Sequence, residues 1–271
     1  DAAVSVQADE GVLILAKEQL NYVINDDCVT ENGTVYAVKG EYPPHVSGHG
    51  AENWVKVETS TPITINVVGN VKYLRIRADS GSNVTVNNNG FKWEDISTPW
   101  DIEENAALTV NGGEYRGSSG GFASGRGKLV INGGTFIINE EGEHIDYVIH
   151  GGPDAEIEIH GGTFQLKTND SGRGWGYAAI DIECRGTLKI DETVEPVLIE
   201  SDSTTNPTIF ANGHLVLNGG TIKSENNTAI EVQPHRWTYN PDDGHAEING
   251  GTIEGGQYGI KMTPRESGSS G

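Results

Sequence analysis

One phrase, an alternating apolar triplet followed by Asn-Gly-Gly-Thr-Phe or a close variant, returns five times along the chain. The copies are Leu108-Thr-Val-Asn-Gly-Gly-Glu-Tyr115, Leu129-Val-Ile-Asn-Gly-Gly-Thr-Phe136, Ile157-Glu-Ile-His-Gly-Gly-Thr-Phe164, Leu215-Val-Leu-Asn-Gly-Gly-Thr-Ile222 and Ala246-Glu-Ile-Asn-Gly-Gly-Thr-Ile253. A unit this short cannot bury its apolar face alone, so it must stack on its own neighbours. Shorter versions stand at Ile63–Asn66, Val84–Asn87 and Leu188–Asp191. Anchored on the Asn-like position, the copies fall at 66, 87, 111, 132, 160, 191, 218 and 249, in steps of 21, 24, 21, 28, 31, 27 and 31. The interval therefore has a floor near 21 residues and a variable excess.

Inside a copy the residues alternate, with Leu129 and Ile131 inward and Val130 outward, which is the period-2 pattern of a strand with one buried face. The glycines of the turn accept positive φ without a Cβ clash. A second short strand follows, as in Thr135–Ile138 or Thr221–Lys223. After a polar stretch of varying length comes a third apolar segment: Tyr147–Ile149, Ala179–Ile182, Thr208–Phe210, Ala229–Val232 and Tyr258–Lys261. The chain thus reads as all-β, with about eight levels of three strands over residues 61–262, on the order of 38 Å long at ~4.8 Å per level. The anchor column predicts a ladder of side-chain amides, with His160 and Asp191 as substitutes.

Residues 1–60 read as an N-terminal cap region. Leu13, Ala16, Leu20 and Ile24 recur near helical spacing and predict a capping helix over 11–25, with irregular strands and loop over 26–60. Residues 263–271 read as a polar tail or linker. Exposed strand edges need covering, and no cap is visible after Met262, so the reading expects covalent linkage to further domains. The two cysteines, Cys28 and Cys184, are too far apart for a disulfide framework or a zinc pattern and read as structural. The start Asp1-Ala2-Ala3-Val4 reads as a mature terminus left after signal-peptide removal, which points to an extracellular protein. Asn-x-Ser/Thr sequons stand at Asn32, Asn83, Asn169 and Asn226.

Lys and Arg number 18 against 39 Asp and Glu, a formal charge of −21, which argues against nucleic acid or an anionic membrane as partner. The longest apolar run, Val12–Ala16, falls far short of the roughly 18 residues of a membrane span. With 37 glycines and 35% hydrophobic residues, a helical bundle is a poor fit.

The Asn-Gly-Gly-Thr-Phe/Ile turns and the three-strand period resemble the right-handed parallel β-helix of the pectate-lyase-like class, over roughly residues 60–262. Such turns occur in bacterial secreted and surface solenoids of diverse function. Polysaccharide lyases of that class present a Ca²⁺ site of clustered acids and an Arg or Lys base. Arg185 and Lys261 are available for the second role, whereas no clustered Asp set is visible for the first. No metal or other cofactor is expected beyond that Ca²⁺ possibility.

Long insertions at solenoid corners are where function is grafted. They run over 139–146, 167–177 and 233–245. The second carries Arg173, Trp175 and Tyr177, and the third carries His235, Arg236, Trp237 and Tyr239. Both flank the third strand. Its outward positions read as two columns: Val148, Asp181, Phe210, Glu231 and Lys261, then His150, Glu183, Asn212, Gln233 and Thr263. A trough with acids on its floor and aromatics on its walls suits a saccharide, because Trp and Tyr stack on apolar sugar faces while carboxylates accept hydroxyl hydrogen bonds. The expected ligand contacts are Trp175, Tyr177, Asp181, Glu183, Glu231, Gln233, His235, Arg236, Trp237 and Tyr239.

Were the trough catalytic, Asp181, Glu183, Glu231, His150 and Arg185 would carry the chemistry. Asp181 and Glu231, two levels apart, would be separated by about twice ~4.8 Å, near the upper limit of the ~6.5–9.5 Å window of inverting glycosidases. His150 and Glu183 would form an acid/base pair. Elsewhere, Pro and Gly around His45 and His49 exclude the helix that would make their spacing a metal motif. Gly120–Gly127 lacks phosphate-loop spacing, and no nucleophile elbow is present. The leading expectation is a glycan-binding or adhesive module of a bacterial surface protein. A polysaccharide lyase or glycoside hydrolase, and a non-binding structural spacer, are the alternatives.

Overall fold

Every copy of the repeated phrase enters one parallel ladder in a single register. Ile63, Val84, Leu108, Leu129, Ile157, Leu188, Leu215 and Ala246 are successive partners, each one level on from the last. A second ladder aligns Trp93, Tyr115, Phe136, Phe164, Ile199, Ile222 and Ile253. A third aligns Val55, Ile76, Trp100, Ala123, Ile149, Ile180, Ile209, Ile230 and Ile260. These columns and the inward positions two residues away from them on the same strands, such as Ile65, Ile131, Ile182 and Leu217, make up much of the buried core. The computed structural model describes residues 4–8, 11–15, 22–24, 26, 34–41, 54–95, 99–117, 121–139, 147–167, 178–234 and 244–263.

The first two ladders belong to one 18-stranded sheet and the third forms a 10-stranded sheet. From the strand Arg75–Ala78 onward, each strand pairs in parallel with the third strand after it. The chain is all-β, and its large parallel sheets are consistent with a parallel β-solenoid. No helix among the described residues is long and apolar enough to cross a membrane.

Inside, the second ladder stacks its aromatic rings. Tyr115 lies 4.7 Å from Phe136 and Phe136 4.8 Å from Phe164 between ring centroids, with interplanar angles of 6° and 4°. Trp100 meets Tyr115 edge-on at 5.0 Å. Offset and edge-to-face pairs of this kind add to the burial of large apolar surface.

The anchor residues form the expected ladder of amides. Asn87 Nδ2 donates to Asn66 Oδ1 at 3.0 Å, Asn111 to Asn87 at 2.8 Å, and Asn132 to Asn111 at 2.8 Å. His160 Nδ1 then meets Asp191 Oδ1 at 2.6 Å, and Asn249 donates to Asn218 at 3.0 Å. Burial alone would raise the Asp191 carboxyl, but bonds from His160, Lys189 and Thr193 outweigh it and hold the group below its usual range. The second glycine of each turn has positive φ, +117° at Gly134 and +114° at Gly162. A Cβ on Gly134 would sit 3.0 Å from the Gly112 carbonyl, so the stacked turns demand glycine twice over.

Where residues 11–25 are described, at 11–15 and 22–24, strands stand in place of the expected capping helix. Gly11–Leu15 is a strand, antiparallel to Val4–Ala8 and parallel to Thr34–Glu41, and Tyr22–Ile24 begins the third ladder. The three- and four-residue spacing of Leu13, Ala16, Leu20 and Ile24 leaves out Val12, Ile14 and Leu15. That continuous, partly β-branched run is strand-like, and the parallel edge of Thr34–Glu41 supplies its hydrogen-bond partners. At the other end, Ile260 and Met262 of the last strand are 43% and 67% exposed, whereas their partners Ile230 and Val232 are buried.

Candidate functional site

The third ladder presents its outward side chains in one row. His150 pairs with Asp181, Asp181 with Phe210, Phe210 with Glu231, and Glu231 with Lys261. This corrects the expected columns, in which Val148 preceded Asp181. Aligning the buried Ile149 with Ile180 shifts the strand Tyr147–Gly151 by two residues, places His150 beside Asp181, and leaves Val148 buried. The signal lay in the sequence, since Ile149 continues the inward column of Ile180, Ile230 and Ile260.

His150 is the hub of the row. Its Nδ1 lies 3.1 Å from Asp181 Oδ2 and its Nε2 3.4 Å from Glu183 Oε1, so the ring is clasped between two carboxylates. Tyr147, which sequence reasoning did not include, stacks on it with ring centroids 4.5 Å apart. Burial pulls the imidazole pKa down, but the bonds to Asp181 and Glu183 outweigh it and lift the pKa to about 9. At neutral pH the ring is an imidazolium donating to both acids.

Asp181 lies in Ala178–Ile182, a strand whose five residues are all buried. It is 7% exposed despite its outward position. Burial pushes its carboxyl pKa up, opposed by the adjacent His150. Its Oδ1 is buried and has no hydrogen-bond partner among the described residues. Such an atom is costly unless something supplies a donor.

Phe210 follows, half-buried, between Asp181 and Glu231. Glu231 Oε1 accepts from Lys261 Nζ at 3.0 Å and from Thr263 Oγ1 at 2.9 Å. Gln233 sits at the edge of this row, its backbone N–H donating to the Ala211 carbonyl. Arg185 occupies a turn at positive φ and binds Asp154 through two bonds of 2.7 Å, which hold the Asp154 carboxyl below its usual range. The structure thus gathers His150, Asp181, Glu183 and Glu231 on one face. Trp175, Tyr177, His235, Arg236, Trp237 and Tyr239 lie outside the described residues.

A second polar groove, not anticipated from the sequence, flanks the second ladder and is lined by Gln165, Lys167, Glu200, Asp202, Lys223 and Glu225. Gln165, Glu200 and Lys223 are successive register partners, with Gln165 hydrogen-bonded to Glu200. Their alternation with inward Phe164, Ile199 and Ile222 was the available signal. No known protein family, curated protein or solved structure matches the chain.

Proposed function

We propose that the chain is a right-handed parallel β-helix of about eight coils, three strands per coil, with an N-terminal cap. In this reading it serves as an extracellular glycan-binding or adhesive module of a bacterial surface protein. Handedness follows from strand physics, because parallel strands of one sheet joined by crossovers are connected right-handedly in nearly all cases. Coil number follows from the eight anchor positions, 66 to 249.

The binding assignment rests on the position of Phe210, a half-buried ring in register between Asp181 and Glu231. An apolar platform between hydrogen-bond acceptors is the arrangement that a sugar ring requires, with its C–H face on the ring and its hydroxyls on the carboxylates. Of the two carboxylates, Asp181 is the more enclosed: its Oδ1 is buried, so a hydroxyl reaches it only if the side chain turns outward. Binding of the intact chain and of Phe210→Ala to a broad glycan panel tests the reading. A sugar bound by the parent and lost in the variant supports it, whereas no binding by the parent leaves the spacer alternative.

The polysaccharide lyase or glycoside hydrolase reading is weaker on chemical grounds. With a pKa of about 9, His150 already holds its proton at neutral pH and is no general base there. Arg185 is committed to Asp154, and Glu231 is held by Lys261 and Thr263.

A further inference from the structure

On the outward face of the first ladder, His214 and His245 are register partners on adjacent strands. Glu247, two residues beyond His245, shares its side of the strand. One ligand atom from each of the three residues lies within 4.8 Å of the other two. We propose that His214, His245 and Glu247 form a binding site for a divalent transition-metal ion of the zinc type.

Distances carry the first part of the argument. Glu247 Oε1 stands 3.3 Å from His214 Nε2 and 3.7 Å from His245 Nε2. A tetrahedral ion with bonds of about 2.0–2.1 Å to nitrogen and carboxylate oxygen separates its ligands by about 3.3–3.4 Å. The two observed edges are therefore close to those of a bound ion. The imidazole planes are inclined at 58° with centroids 5.0 Å apart, so the rings are not stacked on one another.

The second part is an unmet hydrogen-bonding need. His214 Nε2 is buried and has no hydrogen-bond partner among the described residues, although Glu247 is close by. A metal ion would satisfy this nitrogen and the carboxylate oxygen together. Donor chemistry then selects the ion: two imidazoles and one carboxylate suit Zn²⁺, Cu²⁺ or Ni²⁺, while Ca²⁺ requires six to eight oxygens. Three protein ligands leave the remaining position to water. An ion there would tie His214–Leu217 to His245–Ile248, the strand pair next to the exposed end of the sheets.

The test is calorimetric titration of ZnCl₂ into the chelator-treated full chain, with Co²⁺ substitution as a separate spectroscopic measure of tetrahedral coordination. One Zn²⁺ per chain is expected, with affinity reduced at least tenfold in both His214→Gln and His245→Gln, and no displacement by excess Ca²⁺. The Co²⁺ complex of the parent chain should show tetrahedral d–d absorption, a readout independent of how well either variant folds. Absence of Zn²⁺ uptake by the parent, uptake unchanged in both variants, or displacement by Ca²⁺ would overturn the proposal.

Discussion

Asn132 donates its side-chain amide to Asn111 Oδ1 at 2.8 Å across adjacent strands, and Asn111 repeats the bond to Asn87. Asn111 is therefore a structural residue that both donates and accepts within the ladder. Replacing Asn132 by Leu leaves Asn111 Oδ1 without its donor and should lower stability by about 1–2 kcal/mol. Urea denaturation measures the loss. Glycan binding should be unchanged, because the column lies on a different ladder from Phe210.

Leu217 is wholly buried in the inward column of the first ladder. Leu217→Ala should cost roughly 2–5 kcal/mol, the sum of lost apolar burial and the cavity left behind. A loss under about 0.5 kcal/mol in the same denaturation experiment would place this side chain outside the core.

Gly134→Ala probes the turn rather than the core. Alanine at φ +117° is strained, and its Cβ would press on the Gly112 carbonyl. A loss of about 1–3 kcal/mol is expected. Gly133→Ala is no clean control, because a Cβ there would meet the Glu195 carboxylate at 2.5 Å.

The ladders were legible because the phrase repeats its inward residues and its turn together, so one alignment fixes both register and corners. The N-terminal strands were not. Leu13, Ala16, Leu20 and Ile24 satisfy a helical spacing locally, and the edges offered by Val4–Ala8 and Thr34–Glu41 decide for strand over Gly11–Leu15. The third-ladder acids were found from the alternation of Asp181 with Ile180 and Ile182. The neighbour of Asp181 was misplaced by two residues, because the polar stretches before each third strand differ in length and carry no register. His214, His245 and Glu247 escaped notice since 31 residues separate the two histidines and only strand pairing brings them together.

The clasp of His150 between Asp181 and Glu183 makes stability depend on pH. The folded pKa, about 9, exceeds the ordinary 6.5, so the stabilisation is fully present below about pH 6.5 and is lost as pH rises through about 9. The raised Asp181 pKa gives a slope of the same sign at lower pH, because the folded state again holds its proton more tightly. Melting temperatures recorded from pH 6 to 10 should fall across the upper part of this range. His150→Gln should flatten that fall, and an NMR titration of the imidazole should place its midpoint well above 7.

Phe210→Ala and Asp181→Asn together distinguish binding from catalysis on the third-ladder face. Phe210 is half-buried and outward, so its removal should leave the inward column of Ile209, Ile180 and Ile230 packed and the fold intact. Loss of the ring should weaken glycan binding by about 1–3 kcal/mol, the scale of an aromatic anchor. Asp181→Asn keeps the shape of the side chain but removes the charge that faces His150, and an amide nitrogen in place of Oδ1 would turn an acceptor into a donor. A binding module should then lose modest affinity. An enzyme should instead lose rate by orders of magnitude while retaining most of its binding. Equal affinity of the parent, Phe210→Ala and Asp181→Asn for a sugar that the parent binds would move the site off this face, and the groove of Gln165, Glu200 and Lys223 would be the next surface to test.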